Sequence, residues 1–261
     1  MTKNRGYKLI ELMAVAAARE IQDGEVVFTG TGLPMLGGML AQHTHAPNCV
    51  LVFETGTVDP QLAHLPMAVS DPRVMRLAST AGGLLDVFST LQAGYVDVGF
   101  LGGAQIDIFG NINSTSVGDY HHPSVRFTGS GGACDIACLA KRTIIIAPHE
   151  KRRFPERVDY ITSPGWLSGP GAREKVGLPR GGPSAVVTTM GVIRFNNETK
   201  RAYLASYYPG LTSEIVAQNT GFQLDTSRAV ETESPTEEEI RILRDVVDPE
   251  GVFLQRYVKL G

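Results

Sequence analysis

Cysteine is scarce in this 261-residue chain, with only Cys49, Cys134 and Cys138. A small, odd set excludes a disulfide framework and fits a reducing, cytoplasmic compartment. Cys134 and Cys138 lie four apart, but no second ligand pair accompanies them, so two core thiols are the simpler expectation and no metal is expected. Charge is thin as well: 20% of residues are charged, 24 basic against 27 acidic, for a formal net charge of −3. That balance gives no reason to expect nucleic acid or an anionic membrane as a partner. Long apolar runs are missing too. None approaches the ~20 residues a bilayer span requires, and the stretch Leu9 to Ala18 carries Glu11 and runs into Arg19 and Glu20, unlike a signal peptide. What the chain has in quantity is hydrophobic residues, 43%, enough for a sizeable core, and glycine, 29 residues.

Leu9, Leu12, Met13, Ala16, Ala17 and Ile21 recur at helical spacing and predict an amphipathic helix stopped at Gly24. Val26-Val27-Phe28 then predicts a strand that breaks into Gly30-Thr31-Gly32, with a helix from Leu36 to Ala41. The unit repeats: Val50-Leu51-Val52-Phe53, a helix over Leu84 to Leu91, a strand over Val96 to Leu101, a helix from Cys134 to Ala140 and the run Ile144-Ile145-Ile146. Strands without a polar face, alternating with helices, predict an α/β fold: a mostly parallel sheet covered by helices on both faces. Between Ala185 and Tyr207 the runs shorten and crowd, which predicts a C-terminal antiparallel meander. Two helices finish the chain. The last is announced by Ser234-Pro235-Thr236-Glu237, with serine as N-cap, proline first in the helix and glutamate closing the capping box, and it ends at Asp248-Pro249. With no fixed-period repeat or polar linker, residues 1–261 read as one domain. The Gly/Pro-rich stretch Thr162 to Gly182, which holds the only tryptophan, reads as a functional loop or as a cover at a subunit interface.

In open parallel sheets ligands gather beyond the carboxyl ends of the strands. Three turns lie there: Gly30-Thr31-Gly32-Leu33-Pro34, Glu54-Thr55-Gly56 and Gly102-Gly103-Ala104-Gln105. Only the second offers an ionisable group. A carboxylate directly after four apolar residues needs a partner or a task, so Glu54 is either a salt-bridged strand end or a nucleophile or base facing a cleft. Gly129-Ser130-Gly131-Gly132-Ala133 leads into a helix and presents backbone N–H groups suited to an anion or a developing oxyanion. It matches neither a phosphate-binding loop nor a nucleophile elbow, and Gly30-Thr31-Gly32 lacks the third glycine of a dinucleotide fingerprint. Asp119-Tyr120-His121-His122 reads as a hydrogen-bonded loop. His149-Glu150-Lys151-Arg152-Arg153 is either a solvated charge run or a meeting point for phosphates or a partner's carboxylates.

Taken in order, these segments, with Gly110-Asn111-Ile112-Asn113-Ser114-Thr115-Ser116, Gly118-Asp119-Tyr120-His121-His122-Pro123 and Thr162-Ser163-Pro164-Gly165-Trp166, resemble the B (β) subunit of the glutaconate CoA-transferase family, among the class I CoA-transferases. The resemblance spans nearly the whole chain. It implies a ping-pong transfer of coenzyme A between carboxylic acids, with Glu54 as nucleophile and Gly131, Gly132 and Ala133 stabilising tetrahedral oxyanions. Gly30, Thr31, Gly32, Gly102, Gly103, Gln105 and Gly129 would face CoA, which enters as a substrate, with no cofactor permanently bound. An A (α) subunit is implied as partner, giving a hetero-oligomer with the active site between the two. Where the family pattern has Ser or Asn after the glutamate, this chain has Thr55. Relatives that have lost the glutamate act as CoA-dependent decarboxylases or ring-cleaving hydrolases; those activities, and a non-catalytic binding subunit, are the competing expectations.

Overall fold

The computed structural model describes residues 6–178 and 180–255. These gather into two compact units, one built from the chain up to Phe100 together with the stretch from Glu233 on, the other from Leu101–Thr232.

In the first unit the order is α1 (Leu9–Ala18), β1 (Val26–Thr29), α2 (Leu33–Gln42), β2 (Val50–Phe53), β3 (Thr57–Val58), β4 (Thr80–Ala81), α3 (Leu84–Ala93) and β5 (Val98–Leu101). Its strands are ordered β5-β1-β2-β3-β4. The β5-β1-β2 core is parallel, and β3 and β4 are added antiparallel. Val27, Leu51 and Val98 are almost completely buried, as expected of strands apolar on both faces.

The first helix departs from its amphipathic expectation. Ile10 through Ala18 are all buried while Leu9 faces out. Glu11 is buried with them because Arg244 donates two hydrogen bonds to its carboxylate, at 2.7 and 2.9 Å, and the Lys8 N–H a third. Burial works to raise this carboxyl's pKa, but the guanidinium and the N–H outweigh it and hold the group below its ordinary range. Glycine brings α2 close to its neighbours: a Cβ on Gly37 would sit 3.0 Å from the Cβ of Ala17, and one on Gly38 2.7 Å from the side chain of Leu51.

The C-terminal helix Glu237–Ile242 starts two residues later than expected. Its N-cap is Thr236, boxed with Glu239, rather than Ser234 with Glu237. Arg19 explains the shift, since it donates to the carbonyls of Glu233 and Ser234 and grips the Glu239 carboxylate, keeping residues 233–234 outside the helix. A π-helical turn, Leu243–Val247, follows and stops at Asp248, where the sequence places the end.

The second unit begins with two short ribbons, β6 (Gln105–Ile106) with β7 (Ile112–Asn113) and β8 (Ser116–Val117) with β9 (Val125–Arg126). Then come α4 (Ala133–Leu139), β10 (Arg142–Ala147), α5 (Ala172–Lys175), β11 (Pro183–Thr188), β12 (Gly191–Phe195), β13 (Ala202–Tyr207), α6 (Ser213–Gln218) and β14 (Val230–Glu231). β10 and β11 run parallel, β11-β12-β13 form the antiparallel meander, and β14 returns parallel to β13. The fold class is therefore the expected one, a mixed, mostly parallel α/β arrangement with an antiparallel segment near the C-terminus. No helix among the described residues is long and apolar enough to cross a membrane.

Candidate active site

Strand register sets the candidates that lie in the first unit. Thr29 of β1 lies opposite Phe53 of β2, so Gly30 and Glu54 leave adjacent parallel strands at the same level. Gly30 and Thr31 are half-buried, and Gly32, with φ +83°, turns the chain into α2, whose first turn contains Pro34. Helix N–H groups therefore point toward the strand ends.

Glu54 does not enter a helix. Glu54-Thr55-Gly56 is the three-residue turn of a hairpin, closed by a 3.0 Å bond from the Gly56 N–H to the Phe53 carbonyl, with Phe53 paired to Thr57. Such a turn calls for a residue with positive φ before the return strand, and Gly56 has φ +109°. Its Cα side is also blocked, because a Cβ there would lie 2.5 Å from the carbonyl carbon of Gly82. The Gly82 N–H donates to the Gly56 carbonyl at 2.9 Å, and the Thr55 hydroxyl donates to the Val69 carbonyl at 2.7 Å. Thr55 thus uses the group that serine would also offer. The Glu54 side chain is half-buried and, among the described residues, has no hydrogen bond or ion pair; the salt bridge that would make it a purely structural strand end is not among them.

The remaining candidates lie in the second unit. Gly102 is exposed and Gly103 half-buried. Gln105 is buried, its amide N–H bonded to Asp159 at 3.0 Å and its carbonyl accepting from Asn113 at 2.7 Å and from the Asp159 N–H at 3.1 Å. In the glycine run, the Gly129 N–H donates to the Ser114 carbonyl, and the Ser130 hydroxyl accepts from the Cys134 N–H. The Ala133 N–H is taken by the Ser130 carbonyl at 3.0 Å, whereas the N–H groups of Gly131 and Gly132 have no acceptor among the described residues. Gly30, Thr31, Gly32 and Glu54 are thus brought together by one unit, and Gly102, Gly103, Gln105 and the Gly129–Ala133 run belong to the other.

Other motifs resolve into structure. Asp119 accepts from the N–H groups of His121 and His122, making the expected loop. His149 is buried, stacked on Phe154 at 4.5 Å and held between the Thr188 and Thr220 hydroxyls at 3.1 and 3.0 Å; burial pushes its pKa down to about 4. Arg152 and Arg153 both pair with Glu150, so the charge run neutralises part of itself. The Thr162 to Gly182 stretch is tied down. Asn111 accepts from the N–H groups of Gly165 and Leu167 and donates to the Leu167 carbonyl. Arg173, 2% exposed, donates to the carbonyls of Pro164, Gly165, Ala137 and Arg180.

Sequence reasoning missed the Gly82 buttress, Thr55's bond to Val69 and the Asn111 and Arg173 anchors. The Gly82-Gly83 pair was a usable signal for the first, since paired glycines mark close backbone approach. Nothing local marked the others.

The first unit thus carries a half-buried glutamate on a hairpin turn, at the level of a glycine-led helix start. The sequence profile of the coenzyme A transferase family matches residues 10–219. The chain belongs to the coenzyme A transferase family. It is 45% identical over 261 residues to the B subunit of glutaconate CoA-transferase from Acidaminococcus fermentans, covering 98% of each chain. To the B subunit of 3-oxoadipate CoA-transferase from Pseudomonas knackmussii it is 40% identical over 240 residues, 91% of this chain and 92% of the other. Superposed on the crystal structure of the Acidaminococcus fermentans glutaconate CoA-transferase, it covers 97% of itself and 99% of that chain with a TM-score of 0.92. As a coenzyme A transferase it is an enzyme whose substrates include CoA, and relatives of this kind are B subunits of two-subunit enzymes.

Proposed function

We propose that this chain is the catalytic B subunit of a two-subunit transferase that moves CoA between a short dicarboxylic acid, such as glutaconate, and acetate, with Glu54 as covalent nucleophile. The observation that carries this is the Glu54 carboxylate, held at a strand end by a rigid hairpin turn and left without a protein partner among the described residues. Its oxygen attacks the acyl-CoA thioester carbonyl, the C–S bond breaks, and CoA leaves as thiolate from a mixed anhydride. The thiolate then attacks the glutamyl carbon and expels the donor carboxylate, leaving a Glu54–CoA thioester. The acceptor carboxylate attacks that thioester, again releasing the thiolate from an anhydride. Attack of the thiolate on the acceptor's acyl carbon yields the new acyl-CoA and restores the carboxylate.

We assign oxyanion stabilisation to the Gly131–Ala133 run, with the N–H groups of Gly131 and Gly132 as donors and the Ser130–Ala133 bond setting the turn. Gly30, Thr31, Gly32, Gly102, Gly103 and Gly129 offer CoA close backbone approach, and Gln105 braces its turn through Asn113 and Asp159. The chain acts as one domain-sized subunit in a cytoplasmic hetero-oligomer, without a resident cofactor; its three free thiols suit that compartment.

The test is transfer from glutaconyl-CoA to acetate by the chain combined with its A subunit. Glu54→Ala lowers the rate by about 10⁴-fold or more, and hydroxylamine or borohydride added with acyl-CoA marks the Glu54 peptide in mass spectra. Undiminished exchange by the variant refutes the mechanism. Release of CO₂ or a ring-opened acid without exchange favours the decarboxylase or hydrolase alternative.

A further inference from the structure

The stretch from Met75 to Leu85 is ordered yet nearly bare. Met75 is 55% exposed, Leu77 72%, Leu84 58% and Leu85 79%, and both residues of β4 are exposed. Four large apolar side chains within eleven residues exceed the scattered exposure normal for a soluble surface. β4 is also the last strand in the first unit's order, so one row of its backbone donors and acceptors is open to another chain. Leu77 has φ +48°, a left-handed conformation that leucine keeps only where its surroundings impose it. Its side chain finds few such surroundings within its own chain.

This strap is continuous with the support of Glu54. Gly82, inside it, donates to Gly56, which closes the Glu54 turn. Anhydride and thioester intermediates require water to be kept away from that turn. The Gly/Pro-rich stretch, the other candidate cover, is anchored by Asn111 and Arg173. Charge on the strap is sparse, Arg76 alone among residues 75–85, so what it offers a partner is apolar surface and a strand edge.

We propose that Met75–Leu85 is the docking surface for the A subunit, with the β4 edge pairing and Leu77, Leu84 and Leu85 as anchors. This rests on the two-subunit transferase reading above. The test places a photocrosslinking benzoylphenylalanine at Leu77 or Leu85 in the full chain co-expressed with tagged A subunit, and compares assembly of a Leu77→Asp/Leu85→Asp variant. Adducts to the A subunit are expected, with association weakened about a hundredfold or more in the variant while its free chain melts at the wild-type temperature. Adducts only between copies of this chain, unchanged association of the variant, or failure of the wild-type chain to bind an A subunit overturns the docking surface. An enzyme that assembles through these residues but transfers no CoA refutes the transferase reading and leaves the docking surface intact. One that transfers CoA while assembling elsewhere does the reverse.

Discussion

Gly56→Ala challenges the geometry that presents Glu54. With φ +109°, an added Cβ meets the Gly82 carbonyl carbon and oxygen at 2.5 Å and the Gly83 nitrogen at 2.6 Å, all backbone atoms that cannot rotate away. The turn and the Gly82 segment must separate by about 1 Å to reach ordinary contact, which breaks the 2.9 Å bond between them. Backbone strain of about 1–3 kcal/mol and overpacking of about 1–3 kcal/mol together make roughly 4 kcal/mol. For a chain of this size that is a fall in Tm of about 8–16 °C. Because Glu54 rides on the same turn, a shift of about 1 Å should lower kcat by about a hundredfold, and hydroxylamine capture should fall in step. The assay is differential scanning fluorimetry beside CoA transfer at saturating concentrations of both substrates. A variant that melts within about 2 °C of the parent and turns over at its rate would show that the Gly56–Gly82 contact does not hold Glu54 in place.

The buried His149 predicts acid sensitivity. Its folded pKa of about 4 lies below the ordinary histidine value of 6.5, so the unfolded chain takes up a proton there first and stability is lost as pH falls from about 6.5 to 4, by about 3 kcal/mol in all. Denaturant melts across that window should show this, and His149→Gln should flatten it; a parallel decline in the variant would assign the effect to other groups. Arg173→Ala removes the donor to four carbonyls and should cost about 4 kcal/mol. In hydrogen exchange the loss should appear first in residues 162–182, and uniform loosening of the second unit would contradict the anchor role.

Legibility in the sequence followed the length of each signal. Val50–Phe53 appears with its expected bounds, and Leu84–Ala93 and the Pro183–Tyr207 meander lie close to theirs, because four or more apolar residues in a row, or a helical period over ten, leave few alternatives. The ribbons Gln105–Asn113 and Ser116–Arg126 were invisible, since two-residue strands have no period. The N-cap slipped because Ser-x-x-Glu and Thr-x-x-Glu overlap at 234 and 236, and the contacts that separate them come from more than 200 residues away: Arg19 on the carbonyls of Glu233 and Ser234, and the Tyr7 hydroxyl on the hydroxyl of Ser234. For the same reason the pattern around Leu9 misled: Glu11 marks a polar face until Arg244 is known to meet it inside. Position marked Glu54 only as a candidate, either a salt-bridged strand end or a nucleophile, and the hairpin carrying it depends on Gly82, which lies 28 residues downstream of it.

The ion pairs that hold the first helix also set an order of maturation. Glu11 and Arg19 find Arg244 and Glu239 across 233 and 220 residues of chain. At a synthesis rate of about 5–20 residues per second, the N-terminal helix waits about 10–50 s for partners that do not yet exist. The Leu101–Thr232 unit is a continuous stretch and is complete before the unit that was started first. A ribosome-stalled chain with Thr232 followed by an unstructured linker long enough to clear the exit tunnel should therefore resist protease within residues 101–232 while remaining open to cleavage around Leu9–Ala18. Equal protection of both would mean that the early helix is held by something other than its late-arriving partners.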